Sequence, residues 1–198
     1  MNELWPFTTP GVPDELFLQD RVPMTKEEVR ALLIAKARLA PGQEVYDVGA
    51  GTGTVSVEAA RLVYPGPVWA VEKKDEACEL VRANARRFGL ANISVVRGEA
   101  PEALEGLPPP DRVIVGGGYK RIGEILSCCA ARLKPQGIVV VSAVTWETVT
   151  AAVGFFDACP GWETDVVCLN VAKLTPRNRM RLWRALNPIY LVQARKGG

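Results

Sequence analysis

With 198 residues, 48% of them hydrophobic and 23% charged, the chain can build one well-cored domain and is short for two. The net charge of +2 hides an asymmetry, because seven basic residues and no acid follow Asp165, leaving −5 on the first 165 residues. Basic charge confined to one end argues against a general nucleic-acid coat, and the absence of histidine removes the usual neutral-pH base and zinc ligand.

Residues 1–23 are rich in proline and read as an irregular arm. Acids and prolines stand where an export signal needs a basic start and an apolar run, and no apolar stretch approaches the ~18 residues of a membrane span. Cys78, Cys128, Cys129, Cys159 and Cys168 form no C-x-x-C pair and read as thiols of a reducing compartment. A cytoplasmic protein with no membrane partner is expected. Thr25 followed by Glu28 matches a capping box, and Val29, Leu32, Leu33 and Ala37 recur at helical spacing, predicting a helix over about 26–39.

From there apolar runs alternate with amphipathic ones. EVYDVG precedes TVSVEAARLV, PVWAVE precedes DEACELVRANARRF, and ISVVRG precedes the short PEALEGL. RVIVGG then leads IGEILSCCAARL, and GIVVVSAV leads ETVTAAVGFFDA. Continuously apolar strands separated by helices imply an α/β fold with a parallel sheet covered on both faces. Two more strands, about 164–172 and 188–194, have no convincing helix between them and are expected to pair antiparallel as an edge hairpin. The whole of 1–198 then reads as a single domain, with 164–195 as its C-terminal edge hairpin.

Gly49, Gly51 and Gly53 lie between the first strand and the next helix, where glycines permit a tight turn and close ligand approach to free N–H groups. A dinucleotide-binding G-x-G-x-x-G would need glycine at 54, where Thr54 stands. The spacing is instead D-x-G-x-G-x-G, opened by Asp47, and it resembles the S-adenosylmethionine loop of class I methyltransferases. Glu72 ends the second strand, where an acid can accept two ribose hydroxyls, and Gly98-Glu99-Ala100 follows the third. These stations fall at the carboxyl ends of successive strands, where open α/β sheets bind ligands.

The resemblance narrows further along the chain. VPDELFLQDRVPMTKEEVRALLIAKARL (12–39), DVGAGTG and NPIYLVQAR are similar to the decarboxylating precorrin methyltransferases of cobalamin biosynthesis, the CbiT family and the C-terminal half of the longer CobL enzymes. PMTKEE is the most specific piece. The resemblance implies a Rossmann-like, seven-stranded, mostly parallel sheet with an antiparallel C-terminal hairpin. It implies S-adenosyl-L-methionine as cofactor, held by Thr25, Asp47, Gly49, Ala50, Gly51, Thr52, Gly53, Glu72, Glu99 and Ala100. It also implies methylation of carbon 15 of a (cobalt-)precorrin, loss of the carbon-12 acetate carboxyl and a homotetramer, while the residues themselves suggest no metal site.

Methyl transfer from a sulfonium is an in-line displacement that needs alignment more than a base, so lack of histidine is no obstacle. Tyr119, Lys120 and Glu147 are catalytic candidates only by their places at strand ends. Gly116 and Gly117 stand where amino-group methyltransferases carry an Asp/Asn-Pro-Pro-aromatic motif, and glycines there suit a large flat substrate. In TPRNRMRLWRALNP (175–188), Arg177, Arg179, Arg181 and Arg184 could pair bidentately with the carboxylates of a tetrapyrrole. The same arginines also fit neighbouring-subunit acids or, in a class I RNA methyltransferase, phosphates. The missing nucleobase-nitrogen motif favours the polycarboxylate and no nucleic-acid partner.

Overall fold

The computed structural model describes residues 4–178 and 180–197; Arg179 lies outside the described residues, as does the side chain of Arg177. Five helices alternate with strands: α1 (Glu27–Ala37), β1 (Val45–Val48), α2 (Thr54–Val63), β2 (Val68–Glu72), α3 (Asp75–Arg87), β3 (Ile93–Arg97), β4 (Arg112–Val115), α4 (Ile122–Arg132), β5 (Ile138–Ala143) and α5 (Trp146–Asp157). Four strands then close the chain: β6 (Trp162–Leu169), β7 (Ala172–Arg177), β8 (Met180–Ala185) and β9 (Ile189–Lys196).

The main sheet has seven strands in the order β3-β2-β1-β4-β5-β9-β6. β1 to β5 run parallel, and β9 pairs antiparallel with both β5 and β6. Strand alternation sends Val45, Ile114, Ile138, Val140 and Leu191 into a cluster with Leu33, Ile34, Ala59 and Val63 of α1 and α2. It sends Tyr46, Val113, Val139, Val141 and Val192 to the other face, against Ile125, Leu126, Val149 and Phe156 of α4 and α5. Burial on both faces explains why these strands lack polar alternation. The order reverses between β1 and β4, which opens a crevice beyond their carboxyl ends. No helix among the described residues is long and apolar enough to cross a membrane.

Expectations change at both ends of the chain. The capping box does not form: Lys26 is the N-cap of α1 and no side chain caps it. The Thr25 carbonyl instead accepts from Arg30 Nη1 at 2.5 Å, and Glu28 pairs with Lys173 at 2.6 Å. A tertiary partner outcompetes a local cap. The helix also ends earlier, at Ala37, where Arg38 adopts φ 49°. At the C-terminus the strands pair antiparallel as expected, but β9 lies inside the sheet and β6 forms the edge. The arginine stretch between them is no plain loop. β7 and β8 make a separate two-stranded sheet, with Lys173 opposite Arg184, Leu174 opposite Trp183 and Asn178 at φ 57° in the turn.

Candidate cofactor and substrate site

The glycine loop is drawn against the end of β2 by its own N–H groups. Gly49 N and Ala50 N donate to the Val71 carbonyl at 2.9 and 3.1 Å. Gly51 N donates to Glu72 Oε2 at 3.1 Å, while Lys73 N and Lys74 N donate to Glu72 Oε1 at 2.9 and 3.0 Å. The carboxylate is thus oriented from three sides, with accepting capacity left on Oε2. Two glycines are needed on steric grounds as well as for their positive φ. A Cβ on Gly49 (φ +79°) would stand 2.8 Å from Gly117 N, and one on Gly53 (φ +78°) 2.9 Å from the Val81 Cα. A Cβ on Gly117 would stand 3.3 Å from the Gly49 Cα, a tight fit, whereas one on Gly116 would meet only ordinary contact at 3.6 Å from the Gly49 carbonyl, so the β4–α4 loop rests on the glycine loop mainly through Gly117.

Two cavities meet over this loop, of about 240 and 400 Å³, and both are lined by Pro23, Gly49, Gly51 and Gly116. The first also holds Glu72, Glu99, Ala100 and Gly117. The second holds Thr25, Asp47, Ala50 and Thr52, together with Asn187 at the root of the β7–β8 hairpin. Asp47 is 2% exposed and accepts from Ser56 Oγ at 2.5 Å. Burial pushes its carboxyl up to about 6, the Ser56 hydroxyl pulls it down, and the Glu72 charge adds to the rise. Glu99 is exposed, and the hydrogen bond from Lys73, at 2.8 Å, holds its carboxyl below the usual range.

Other expected residues lie elsewhere. Gly53 lines neither cavity; it is the N-cap of α2. Tyr119 and Lys120 sit in an exposed 3-10 turn beside Gly118, with the Lys120 ammonium 5.9 Å from the Tyr119 ring centre. Glu147 is exposed in the first turn of α5. None of these three lines the cleft. Arg181 and Arg184 are exposed on β8, also outside the cavity walls. They alternate, so they project from opposite faces of the hairpin, Arg184 sharing its face with Lys173.

The arm carries what the sequence reading left out. Val22, Pro23 and Met24 line the cavities, and the segment is held by the fully buried Arg30. The arm's composition could not show this, because Arg30 answers to groups from three separate segments. The cradle fits an adenosylmethionine-type molecule in its donor set: an oriented carboxylate for hydroxyls, a buried one for an ammonium, and glycines that leave the backbone bare.

Sheet order, crevice and glycine loop define the Rossmann-like fold of S-adenosylmethionine-dependent methyltransferases. Residues 15–196 match the family model described as a precorrin methyltransferase domain, and the chain belongs to that family. It is 43% identical, over 96% of its length and 98% of the relative's, to a probable cobalt-precorrin-6B C(15)-methyltransferase (decarboxylating) of Pyrobaculum calidifontis. Among solved structures it is similar to a precorrin-6y C5,15-methyltransferase of Geobacter metallireducens, with TM-score 0.88 and 36% identity over 96% of this chain and 97% of that one. A precorrin 8w decarboxylase of Methanobacterium thermoautotrophicum aligns with TM-score 0.86 and 33% identity, over 92% of this chain and 98% of that one.

Proposed function

We propose that the chain methylates carbon 15 of a cobalt-precorrin-6B-type tetrapyrrole with S-adenosyl-L-methionine and removes the carbon-12 acetate carboxyl, in cobalamin biosynthesis. The observation that carries this reading is family membership over residues 15–196, with a relative of that named activity at 43% identity. The cofactor would supply an already electrophilic methyl group.

The chain's own residues orient and enclose. Glu72 is positioned for ribose hydroxyls, Glu99 and Ala100 for the adenine region, and Asp47 with Gly49 to Thr52 for the methionine end, with Thr25 above them. Alignment in the cleft then does most of the work, and the substrate's conjugated ring takes the electron pair left when the carboxyl departs as carbon dioxide. Tyr119, Lys120 and Glu147 keep a catalytic role in this reading only if the substrate extends from the cleft to their exposed turns.

A cytoplasmic homotetramer completes the proposal. A two-stranded hairpin is marginal alone in water, and this one exposes Leu174, Met180, Leu182 and Trp183, the last at 72%. The arginines beside them suit either the substrate's carboxylates or a neighbouring copy. The test is incubation with S-adenosylmethionine and a late precorrin, read by mass spectrometry. One methyl gained with one carboxyl lost supports the proposal. An untouched precorrin beside methylated RNA overturns it.

A further inference from the structure

The irregular chain between Leu18 and Thr25 crosses the mouth of the cleft. Val22 and Pro23 line the first cavity, and Pro23, Met24 and Thr25 the second. The Pro23 carbonyl lies 3.2 Å from where a Cβ on Gly51 would stand, so the strap touches the glycine loop itself. Residues 18–21 are exposed, and nothing in their composition would keep such a segment in one place.

Its two ends are fastened by fully buried polar side chains. At one end Asn84 of α3, 0% exposed, accepts from Leu18 N at 2.8 Å and donates to the Leu18 carbonyl at 2.9 Å. The same amide donates to the Thr52 carbonyl at 2.9 Å, joining strap and glycine loop through one side chain. At the other end Arg30 of α1 is also 0% exposed. Its guanidinium donates to the carbonyls of Thr25 and Val12, to Asp14 at 3.2 Å and to Glu58 of α2 at 2.5 Å. Glu58 in turn accepts from Gly11 N and Val12 N at 2.8 and 3.0 Å.

A buried ion pair is a poor way to gain stability alone, since well-packed apolar groups often do as well. What it does supply here is direction, because the donors of one planar group converge on the backbone of the arm. We propose that Arg30, braced by Glu58, and Asn84 are positioning residues that hold the strap Leu18–Thr25 over the cleft and so set affinity for the nucleoside-bearing cofactor without touching it. The inference rests on reading the cleft as the S-adenosylmethionine site.

The probe is S-adenosylhomocysteine, titrated by calorimetry into the full chain. Arg30→Met with Glu58→Gln removes the guanidinium without leaving a buried charge unpaired, Asn84→Leu is nearly isosteric, and Phe156→Leu, in the opposite core layer, serves as a stability control. Both anchor variants are expected to bind roughly tenfold more weakly, the scale of losing one or two buried hydrogen bonds. The Leu18 amide, which donates to Asn84, should exchange faster in Asn84→Leu, and turnover at saturating cofactor should be retained. The control should bind as wild type at a comparable loss of melting temperature. Arg30→Lys replaces the double variant if that one does not fold. Anchor variants that bind as wild type, or a control that weakens binding equally, overturn the inference alone. A wild-type chain that binds no S-adenosylhomocysteine overturns the functional reading and the inference with it.

Discussion

At the carboxyl edge of the main sheet, the glycine loop has its polar groups answered from within the chain, whereas β7 and β8 answer one another and little else. Asp47 is met by Ser56, Glu72 by three backbone N–H groups, and the Gly49 N–H by the Val71 carbonyl. On the hairpin, Met180, Leu182 and Trp183 stand in solvent beside Arg181 and Arg184. One region is finished as a fold, and the other leaves apolar and basic side chains in solvent. In the proposed reaction this is a division between a generic and a particular task. A rigid cradle suits a cofactor shared by many enzymes, and an open basic surface suits a polycarboxylate or a second copy.

The sharpest way to break that comparison is to remove the hairpin. Replacing 172–185 by a short Gly-Ser link retains the cavity walls at Val171, Leu186 and Asn187. Cofactor binding should stay within about twofold of wild type, while precorrin turnover should fall by about 100-fold, the scale set by misplacing a substrate. Light scattering should show the assembly reduced. Loss of cofactor binding together with turnover would mean that the two regions are one.

Within the cradle, Asp47→Asn should raise stability and lower affinity at once. The folded-state carboxyl sits at about 6 against the 3.8 of a free aspartate, so between these values the folded chain holds a proton the unfolded chain has released. Stability therefore falls as pH rises through this window, by up to about 3 kcal/mol for a shift of this size. Denaturation of wild type and Asp47→Asn across pH 4 to 7 should diverge in that sense. An ammonium bound at Asp47 favours the ionised form, so S-adenosylhomocysteine affinity should rise with pH through about 6 in wild type and stay flat in the variant. Glu72→Ala should cost roughly tenfold in the same affinity, because it removes an oriented acceptor and frees the Gly51 N–H.

How much of this could be read in advance follows from the same contrast. β1 to β5 announce themselves because strands buried on both faces leave unbroken apolar runs, and the glycine spacing with Glu72 follows from local geometry alone. Arg30 was not legible, since an arginine in KEEVRALL looks like the wet face of a helix until Asp14, Thr25 and Glu58 are brought to it. The capping box at Thr25 failed for the same reason. β7 and β8 were hidden because neither face is buried within the chain, which leaves no period-2 signal; their strandedness lies in the turn at Asn178 and the pairing across it.

The smallest expected effect separates the regions most finely. Lys173 of β7 pairs with Glu28 of α1 at 2.6 Å, both side chains being partly exposed, and it is a direct tie from hairpin to the helix that follows the strap. Burial pushes the Glu28 carboxyl up, but the hydrogen bond from Lys173 and the charges nearby outweigh it and hold the group below its usual range. Its contribution to stability is therefore present at neutral pH and lost as pH falls through the carboxylate range. Lys173→Met should cost less than about 1 kcal/mol in denaturant melts, and less still at high salt, as exposed pairs do. If the tie also aims the hairpin at the cleft, KM for the precorrin should rise roughly threefold with kcat and S-adenosylhomocysteine affinity unchanged, a shift well under the 1.4 kcal/mol of a tenfold effect. An unchanged KM would leave the pair a surface contact only. A change in S-adenosylhomocysteine affinity would show that α1 transmits the hairpin's position to the strap, and that cradle and hairpin act together.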